Sequence, residues 1–177
     1  KVPYLGASSM WAWPFASMQH AADLHGWTRF ISMQDQYSLL AREEEREMLP
    51  LLAHQGVGSI PRSPLSAGKV TRPWGDATTR RSSENRQTDQ YGRSLYQDTD
   101  KAIVDAVEKI AAARGVPMAQ IGLAWVLKNP VVSAPIVGSS KPHHLTDAVA
   151  ALDIHLTDEE VAALEEHYVP RLPTYYR

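Results

Sequence analysis

The sequence predicts an α/β fold with a parallel sheet, because short apolar runs alternate with helical patterns along the chain. Gly26, Gly56 and Gly115 each end a predicted helix, a place where left-handed backbone favours glycine. Strands are predicted at residues 2–7, 29–34, 57–60 and 133–137. Such βα units with right-handed crossovers form either half of a closed barrel or a small open sheet.

The helices are predicted from apolar residues spaced three and four apart. Pro14 lies in the first turn of the first helix, and further helices are expected at 42–54, at 99–114 and directly after Pro117. The acidic and basic residues of 42–47 are interpreted as a solvated helix face.

Two more helices are predicted near the end of the chain. One begins at Pro142, and four of its apolar residues have the spacing of a single buried face: Leu145, Ala148, Val149 and Leu152. The other opens with a capping box of Thr157 and Glu160, so 157–177 is expected to be a C-terminal helix and tail.

Residues 66–98 interrupt this alternation with a long polar segment. Loops of this length inside compact domains are usually functional lids or disordered. Four large residues give the segment something to pack with, so a lid is favoured over a disordered excursion: Trp74, Tyr91, Leu95 and Tyr96.

The amino-acid composition narrows the classes of partner that the chain is expected to bind. With a net charge of −2 and 21% charged residues, the chain lacks the concentrated positive charge of a nucleic-acid or membrane binder. Cysteine is absent, which excludes disulfides and suits a reducing compartment, so a cytoplasmic location is expected. The apolar run at 2–7 begins without a leader, which gives the expectation that the domain starts upstream of Lys1.

Four motifs carry a resemblance to a known family. They are GASSM at 6–10, SMQDQYSLLAREEEREM at 32–48, SPLSAGK at 63–69 and PIVGSSKP at 135–142. In this order they resemble successive strand ends of the aldo-keto reductases, in the bacterial branch related to potassium-channel β-subunits. The resemblance implies a (β/α)₈ TIM barrel, of which residues 1–177 supply roughly the last four βα units.

The same resemblance implies a bound NADP across the carboxyl ends of the strands, where barrel sites lie. By this resemblance Ser8 and Gln34 hold the nicotinamide carboxamide, which needs both donors and acceptors. Without it, Ser8 would cap a turn and Gln34 would satisfy a buried backbone group.

The turn at 63–69 is implied to approach the cofactor's pyrophosphate, through Ser63, Leu65, Gly68 and Lys69. The alternative is a plain Pro-Gly turn with a solvated lysine. Arg62 departs from the family pattern, because an aromatic residue usually stacks on the nicotinamide there. A guanidinium also stacks on flat rings, but it repels the positively charged oxidised ring.

The adenosine end is implied to contact Gly138, Ser140, Lys141, His144 and Asp147. Ser140 and Lys141 lie at a helix start, where backbone N–H groups and the dipole favour anions. Lys141 therefore favours the 2′-phosphate of NADP over the hydroxyl of NAD. Ala148 stands where the family usually has an asparagine for the adenine edge. Without the resemblance, Lys141, His143 and His144 would be plain surface residues.

The resemblance implies reduction of aldehydes or ketones by hydride transfer, with a small-molecule carbonyl substrate. The family's proton-donating Tyr and its partners belong to the first half of the barrel, so no catalytic residue is expected in this chain. Trp11 and Trp13 are the residues best placed to touch substrate. No metal site is expected, because the adjacent His143 and His144 point in different directions on a helix.

Two other interpretations remain open. One is a regulatory or sensor barrel that binds the nucleotide without reductase activity, and the other is an inactive half-barrel. Since open sheet edges are templates for pairing, association with an N-terminal half-barrel or with a second copy is expected.

Overall fold

The computed structural model describes residues 2–76 and 97–172, which form an α/β fold on a parallel sheet. Its strands, in sheet order, are β1 (Leu5–Ser8), β2 (Phe30–Gln34) and β3 (Gly58–Ser59). Both neighbouring pairs run parallel, with Ser8 opposite Gln34 and Met33 opposite Ser59. The predicted α/β class and the first three strand positions are therefore confirmed, although β3 is shorter than expected.

The fourth predicted strand, at 133–137, is wrong as a continuous strand. Only isolated parallel bridges join this segment to the sheet, between Ser59 and Val132 and between Arg62 and Ile136. Pro135 interrupts the segment and has no N–H to donate, which limits the ladder. The segment still follows β3 in the sheet, because Ile136 N donates to Pro61 O at 2.8 Å.

Six α-helices surround the sheet in the described parts of the chain. They are α1 (Ala12–His25), α2 (Met48–Gln55), α3 (Asp100–Arg114), α4 (Met118–Leu127), α5 (Pro142–Ala150) and α6 (Asp158–Glu165). Gly26, Gly56 and Gly115 cap α1, α2 and α3 at φ between 66° and 67°, as predicted. None of the described helices is by itself long and apolar enough to span a membrane, and only the α3–α4 pair passes such a test, with a 105° bend.

The helix predicted at 42–54 begins later than expected. Glu43–Glu45 forms a short 3₁₀ helix, and α2 starts only at Met48. Pro50 explains the shift, since proline fits the first turn of a helix but breaks its interior. Of the acidic residues in this segment, Glu44 is buried and Glu43 and Glu45 are half-buried, with consequences described below.

The core lies between the sheet and the helices. Its largest fully buried side chains include Phe15 of α1, Met33 of β2, Leu52 of α2 and Trp125 of α4. Most of α4 is buried, and a Cβ at Gly122 would approach Val70 Cγ2 at 3.1 Å. This close contact packs α4 against the turn that follows β3.

The predicted buried face of α5 is rotated. Leu145, Val149 and Leu152 are 62%, 57% and 60% exposed, so they do not form a buried stripe here. The half-buried residues of α5 are His144, Asp147, Ala148 and Ala150, so Ala148 is the one member of the predicted face that is partly buried. Asp147 Oδ1 accepts a hydrogen bond from Gln120 Nε2 at 3.5 Å, which turns that side of α5 toward α4.

The capping box at α6 is confirmed. Thr157 Oγ1 accepts from Glu160 N at 3.3 Å, and Glu160 Oε2 accepts from Thr157 N at 2.8 Å. Arg114 at the end of α3 also donates to the Glu160 carboxylate at 2.6 Å. The start of α6 is therefore fastened to α3.

Most of the predicted lid, together with the end of the predicted tail, lies outside the described residues. These stretches are 77–96 and 173–177, and they include Tyr91, Leu95 and Tyr96. The described beginning of the lid segment is a kinked 3₁₀ helix, Ser66–Thr71, and its Trp74 packs against the core. The lid stays a prediction.

Candidate functional site

The carboxyl ends of the parallel strands meet at one edge of the sheet. Ser8 ends β1 opposite Gln34, which ends β2. Beyond the strands, Arg62 bridges Gln36 on one side and Ile136 on the other. Three predicted cofactor residues, Ser8, Gln34 and Arg62, are therefore brought to the same edge.

Ser8 and Gln34 combine donors and acceptors at this edge. Ser8 Oγ donates to Gln34 O at 3.2 Å, and Ser9 N donates to the same carbonyl at 3.2 Å. The half-buried side-chain amide of Gln34 makes no hydrogen bond with the described residues, so the expectation that it satisfies a buried backbone group finds no support there. An amide and a hydroxyl side by side fit a carboxamide ligand.

The turn after β3 has an unusual backbone. Three residues that are not glycine have positive φ: Ser63 at 53°, Ser66 at 51° and Ala67 at 53°. Gly68 follows them with a φ of 91°. Such conformations cost about 1–3 kcal/mol each in non-glycine residues, and they cluster at functional sites.

Side chains hold this turn in place. Ser66 Oγ donates to Ser38 Oγ at 2.8 Å, and both residues are buried. Lys69 Nζ lies 5.2 Å from the centre of the Trp74 ring, a cation–π distance. The Gly68 carbonyl accepts from Thr71 Oγ1 at 2.8 Å, so the turn is fixed at several points.

The turn before α5 presents the predicted adenosine residues at the surface. Lys141 occupies the N-cap position in extended backbone and is exposed. Ser140 N donates to His144 Nδ1 at 3.4 Å, so the imidazole already contacts the helix start. A Cβ at Gly138 would meet nothing within 4 Å, which leaves open space for a ligand. Hydroxyl, amide and cation here fit a phosphate group.

Asp35 is a site residue that the motif reading missed. Its side chain is 0% exposed, and neither carboxyl oxygen has a hydrogen-bond partner in the described structure. Burial, together with the nearby Glu44 carboxylate, raises the pKa of Asp35 to about 8, while the Arg62 guanidinium acts in the opposite direction. The sequence did indicate that Asp35 is buried. Asp35 lies two residues after the buried Met33, and side chains two apart in a strand point to the same face, so the carboxyl is placed on the buried face.

The prediction of a solvated face at 42–47 is wrong for residues 42–45, whereas Arg46 and Glu47 are exposed. Arg42 Nη2 forms ion pairs with Glu45 at 2.8 Å and Glu165 at 2.9 Å. Trp125 Nε1 donates to the other Glu165 oxygen at 2.8 Å, and Arg42 also lies 5.3 Å from the Trp125 ring centre. The late start of α2 explains this, because the segment crosses the core surface beside α6 instead of following a solvated helix.

The C-terminal residues fasten the same region. Tyr168 Oη donates to Glu43 Oε1 at 2.9 Å, and burial raises the pKa of Tyr168 to about 12. Arg171 N also donates to Glu43 Oε1, at 2.8 Å, while the Arg171 guanidinium pairs with the buried Asp100 at the start of α3. The segment after α6 thus joins the loop after β2 to the residues that follow the lid segment.

A cavity of about 450 Å³ lies beside the strand-end edge. Three stretches line it, namely the residues after β1, the segment at 43–48 and the segment at 170–172. The lining residues are Met10, Trp11, Ala12, Glu43, Glu44, Arg46, Glu47, Met48, Pro170, Arg171 and Leu172. Trp11 lines this cavity, whereas Trp13 lies outside it and is 70% exposed, and contact of either residue with a substrate stays a prediction. None of the predicted cofactor residues lines this cavity.

Within residues 2–76 and 97–172, no group of three or more His, Asp or Glu side chains has the arrangement of a metal site. His143 and His144 contact each other edge to face, with ring centres 4.5 Å apart. Their spacing reflects adjacency on α5.

Comparison with known proteins identifies the family. The family model described as Aldo/keto reductase family matches residues 1–169. The chain belongs to this family. It is similar to the versiconal hemiacetal acetate reductase of Aspergillus parasiticus, with 44% identity over 171 residues, which are 97% of this chain and 50% of the relative.

Two further relatives match a similar share of this chain and of their own length. An aldo-keto reductase from Alternaria alternata is 43% identical over 178 residues, 98% of this chain and 46% of the relative. A putative aryl-alcohol dehydrogenase from Saccharomyces cerevisiae is 41% identical over 174 residues, 96% and 49% respectively. The chain spans about half the length of the curated relatives it matches. The narrower assignment to a bacterial branch stays a prediction.

Asp35→Asn is expected to raise stability at alkaline pH. Because the folded-state pKa of about 8 exceeds the ordinary value of 3.8, the folded protein keeps a proton that the unfolded chain releases, and stability falls as pH rises between these values. Asparagine removes that loss but leaves its amide buried, so we expect a gain of about 2 kcal/mol above pH 8. Urea titrations of the folded protein at several pH values measure it. Asp105→Asn, on the exposed side of α3, is the control, and an equal pH slope in wild type and Asp35→Asn contradicts the account.

Ala67→Gly is expected to stabilise the turn after β3. Glycine adopts the φ of 53° without the strain that Ala67 carries, which outweighs its greater freedom in the unfolded chain by about 1 kcal/mol. Ala162→Gly, at an exposed position inside α6, is the matched control and should lose about 1 kcal/mol. Thermal unfolding distinguishes the two, and destabilisation by both substitutions would show that Ala67 carries no strain.

Proposed function

We propose that this chain is the cofactor-binding half of an NADP-dependent reductase that converts aldehydes or ketones to alcohols by hydride transfer. The observation that carries the proposal is the common edge formed by Ser8, Gln34 and Arg62, the strand ends to which the family resemblance assigns the nicotinamide. The names of the relatives, as reductases and aryl-alcohol dehydrogenases, support the same reaction class.

In this proposal the chain orients the cofactor, and the nicotinamide ring supplies the hydride. The Gln34 amide and the Ser8 hydroxyl hold the carboxamide, which fixes the face of the ring that meets the substrate. Trp11 and the adjoining cavity receive the carbonyl compound and exclude water from it.

The phosphates are assigned to two turns. The left-handed turn at 63–69 faces the pyrophosphate, with Ser63, Leu65, Gly68 and Lys69 around it. The turn before α5, with Gly138 and Ser140, receives the adenosine phosphate, and Lys141 selects NADP through the extra 2′-phosphate charge. His144 and Asp147 flank that site, although Asp147 is directed toward Gln120.

We further propose that a complete (β/α)₈ barrel forms when the first βα units precede this chain. The support is the length of the relatives, together with the exposed apolar residues at the open edge of β1 and along α5, such as Leu5, Leu145 and Val149. The assembled barrel, meaning one polypeptide with the first half ahead of this chain, also supplies the proton donor. Arg62 is the observation that favours the second candidate, a nucleotide sensor, because its charge opposes an oxidised ring.

Lys141→Ala in the assembled barrel is expected to weaken NADP binding by about 1.5–3 kcal/mol, the value of a hydrogen bond to a charged group. NAD binding should not change, since NAD has no 2′-phosphate. Lys109→Ala, on the exposed side of α3, is the matched control. Calorimetric titration with both nucleotides tests this, and an unchanged NADP affinity in Lys141→Ala excludes the assigned role.

The isolated chain is expected to self-associate and to show no carbonyl reduction. Its open sheet edge is a template for pairing, and it lacks the proton donor, a contribution of roughly 10²–10⁴-fold. Sedimentation measures association, and NADPH oxidation with a simple aldehyde measures turnover, with the assembled barrel as the positive control. A folded, active monomer contradicts the half-barrel proposal. An assembled barrel that binds NADP but reduces no carbonyl favours the sensor.

A further inference from the structure

We propose that the cavity beside the strand-end edge selects carbonyl compounds that combine an apolar body with a positively charged group, and that it discriminates against those that carry a carboxylate. This inference rests on the proposed function and deepens it, because it names the class of substrate that the cavity receives. The described lining residues carry it, since they are apolar in one part of the cavity and acidic in another.

The cavity begins next to the predicted carboxamide site. Met10 and Trp11, which line it, follow Ser8 at the end of β1 by two and three residues. Since consecutive Cα atoms are about 3.8 Å apart, the Cα atoms of Met10 and Ser8 lie within about 8 Å of each other. Ser9 N donates to Gln34 O at 3.2 Å, which fixes this stretch to the end of β2 as well. A compound in the cavity therefore lies beside the strand ends to which the nicotinamide is assigned.

The apolar part of the lining can hold the body of such a compound. Its side chains are those of Met10, Trp11, Met48, Pro170 and Leu172. Trp11 is 45% exposed and Leu172 is 88% exposed, so both present apolar surface to a ligand. Indole and thioether groups pack well against aromatic and aliphatic groups of varied shape. The cavity volume of about 450 Å³ is that of a small-molecule site.

The two cations in the described lining are already paired with carboxylates. Arg46 Nε lies 2.9 Å from Glu43 Oε2. The Arg171 guanidinium pairs with Asp100, which is buried and is not among the lining residues. Because each guanidinium has a carboxylate of its own, neither one provides a site for an anionic ligand in the cavity.

The described lining also contains Glu44 and Glu47, in addition to the Glu43 that pairs with Arg46. Glu44 is buried, where water screens its charge less than at the surface. Glu47 is exposed at the N-cap position of α2, and its side chain makes no capping hydrogen bond there. The acidic part of the cavity therefore has more carboxyl groups than the two lining guanidinium groups offset.

This distribution of charge sets the selectivity. A positively charged group gains attraction from the carboxylates, and the face of the Trp11 ring is a second favourable position for it. A carboxylate in the same position loses hydration and meets charges of its own sign. Both effects distinguish two substrates of the same size and shape by charge alone.

The test compares three aldehydes that differ in one ring substituent. They are 4-(trimethylammonio)benzaldehyde, its uncharged isostere 4-tert-butylbenzaldehyde, and 4-carboxybenzaldehyde. Their dissociation constants are measured by calorimetry with the assembled barrel and NADP⁺, which has no hydride to transfer. Wild type should bind the cation at least about tenfold more tightly than the carboxylate, with the isostere between them. Because mobile ions screen the carboxylates, this ratio should fall when the salt concentration is raised from about 20 mM to about 500 mM.

Two variants should change the ratio in opposite directions. Glu47→Gln removes an exposed negative charge from the lining and should lower the preference for the cation by roughly threefold. Arg46→Gln leaves the charge of Glu43 without its partner and should raise the preference by a similar factor. Glu108→Gln, at an exposed position of α3 that does not line the cavity, is the matched control and should keep the ratio of wild type. A purely structural effect would change the affinity for all three aldehydes together and leave the ratio unchanged.

Reduction is measured separately, by NADPH oxidation with the same three aldehydes. If the binding ratio follows the two variants but no aldehyde is reduced, the proposed reaction fails and the selectivity of the cavity stands. If the aldehydes are reduced but wild type binds the carboxylate as tightly as the cation, or both variants keep the ratio of wild type, the inference is overturned and the proposed function stands. Failure of all three aldehydes to bind the folded barrel also overturns the inference.

Discussion

The candidate site depends on the backbone pairing of Arg62. Its N–H donates to Asp35 O at 2.7 Å, and its carbonyl accepts from Tyr37 N at 3.4 Å. On the opposite side, Ile136 N donates to Pro61 O and continues the parallel alignment. These bonds bring the ends of successive strands to one edge, and the turns at 63–69 and 138–141 follow directly from that edge.

Much of the fold was predictable because local rules decide it. Helix-ending glycines, the α6 capping box and the alternation of apolar runs depend on residues close in sequence. The errors arose where a proline changed the outcome: Pro50 delays α2, and Pro135 reduces the fourth strand to bridges. The rotation of α5 has another cause, since hydrophobic spacing selects a face but the Asp147–Gln120 contact with α4 is set by tertiary packing.

The candidate site likewise has one part that was predictable from the sequence and one part that was not. The four family motifs contain nine of the twelve predicted cofactor residues, and Arg62, His144 and Asp147 lie close beside them in the sequence. The strand register brings Ser8, Gln34 and Arg62 to one edge. The ion pair of Arg42 with Glu165 was not predictable, because the partners are 123 positions apart and no periodicity links them. Asp35 was predictable in part. Its position in the strand indicated that the side chain is buried, but only the structure shows that its carboxyl has no hydrogen-bond partner among the described residues.

Backbone strain and a buried carboxyl without a hydrogen-bond partner among the described residues coincide at the strand-end edge. The left-handed Ser66 and Ala67 follow Arg62 by only a few residues, and the buried Asp35 is bonded to its backbone. Natural sequences retain such unfavourable features mainly where they serve a function, since most others are removed by simple substitutions that stabilise the fold. Asparagine at 35 and glycine at 67 are such substitutions. Aspartate at 35 and alanine at 67 therefore mark the turn and strand end around Arg62 as the part of this edge where the fold gives up stability.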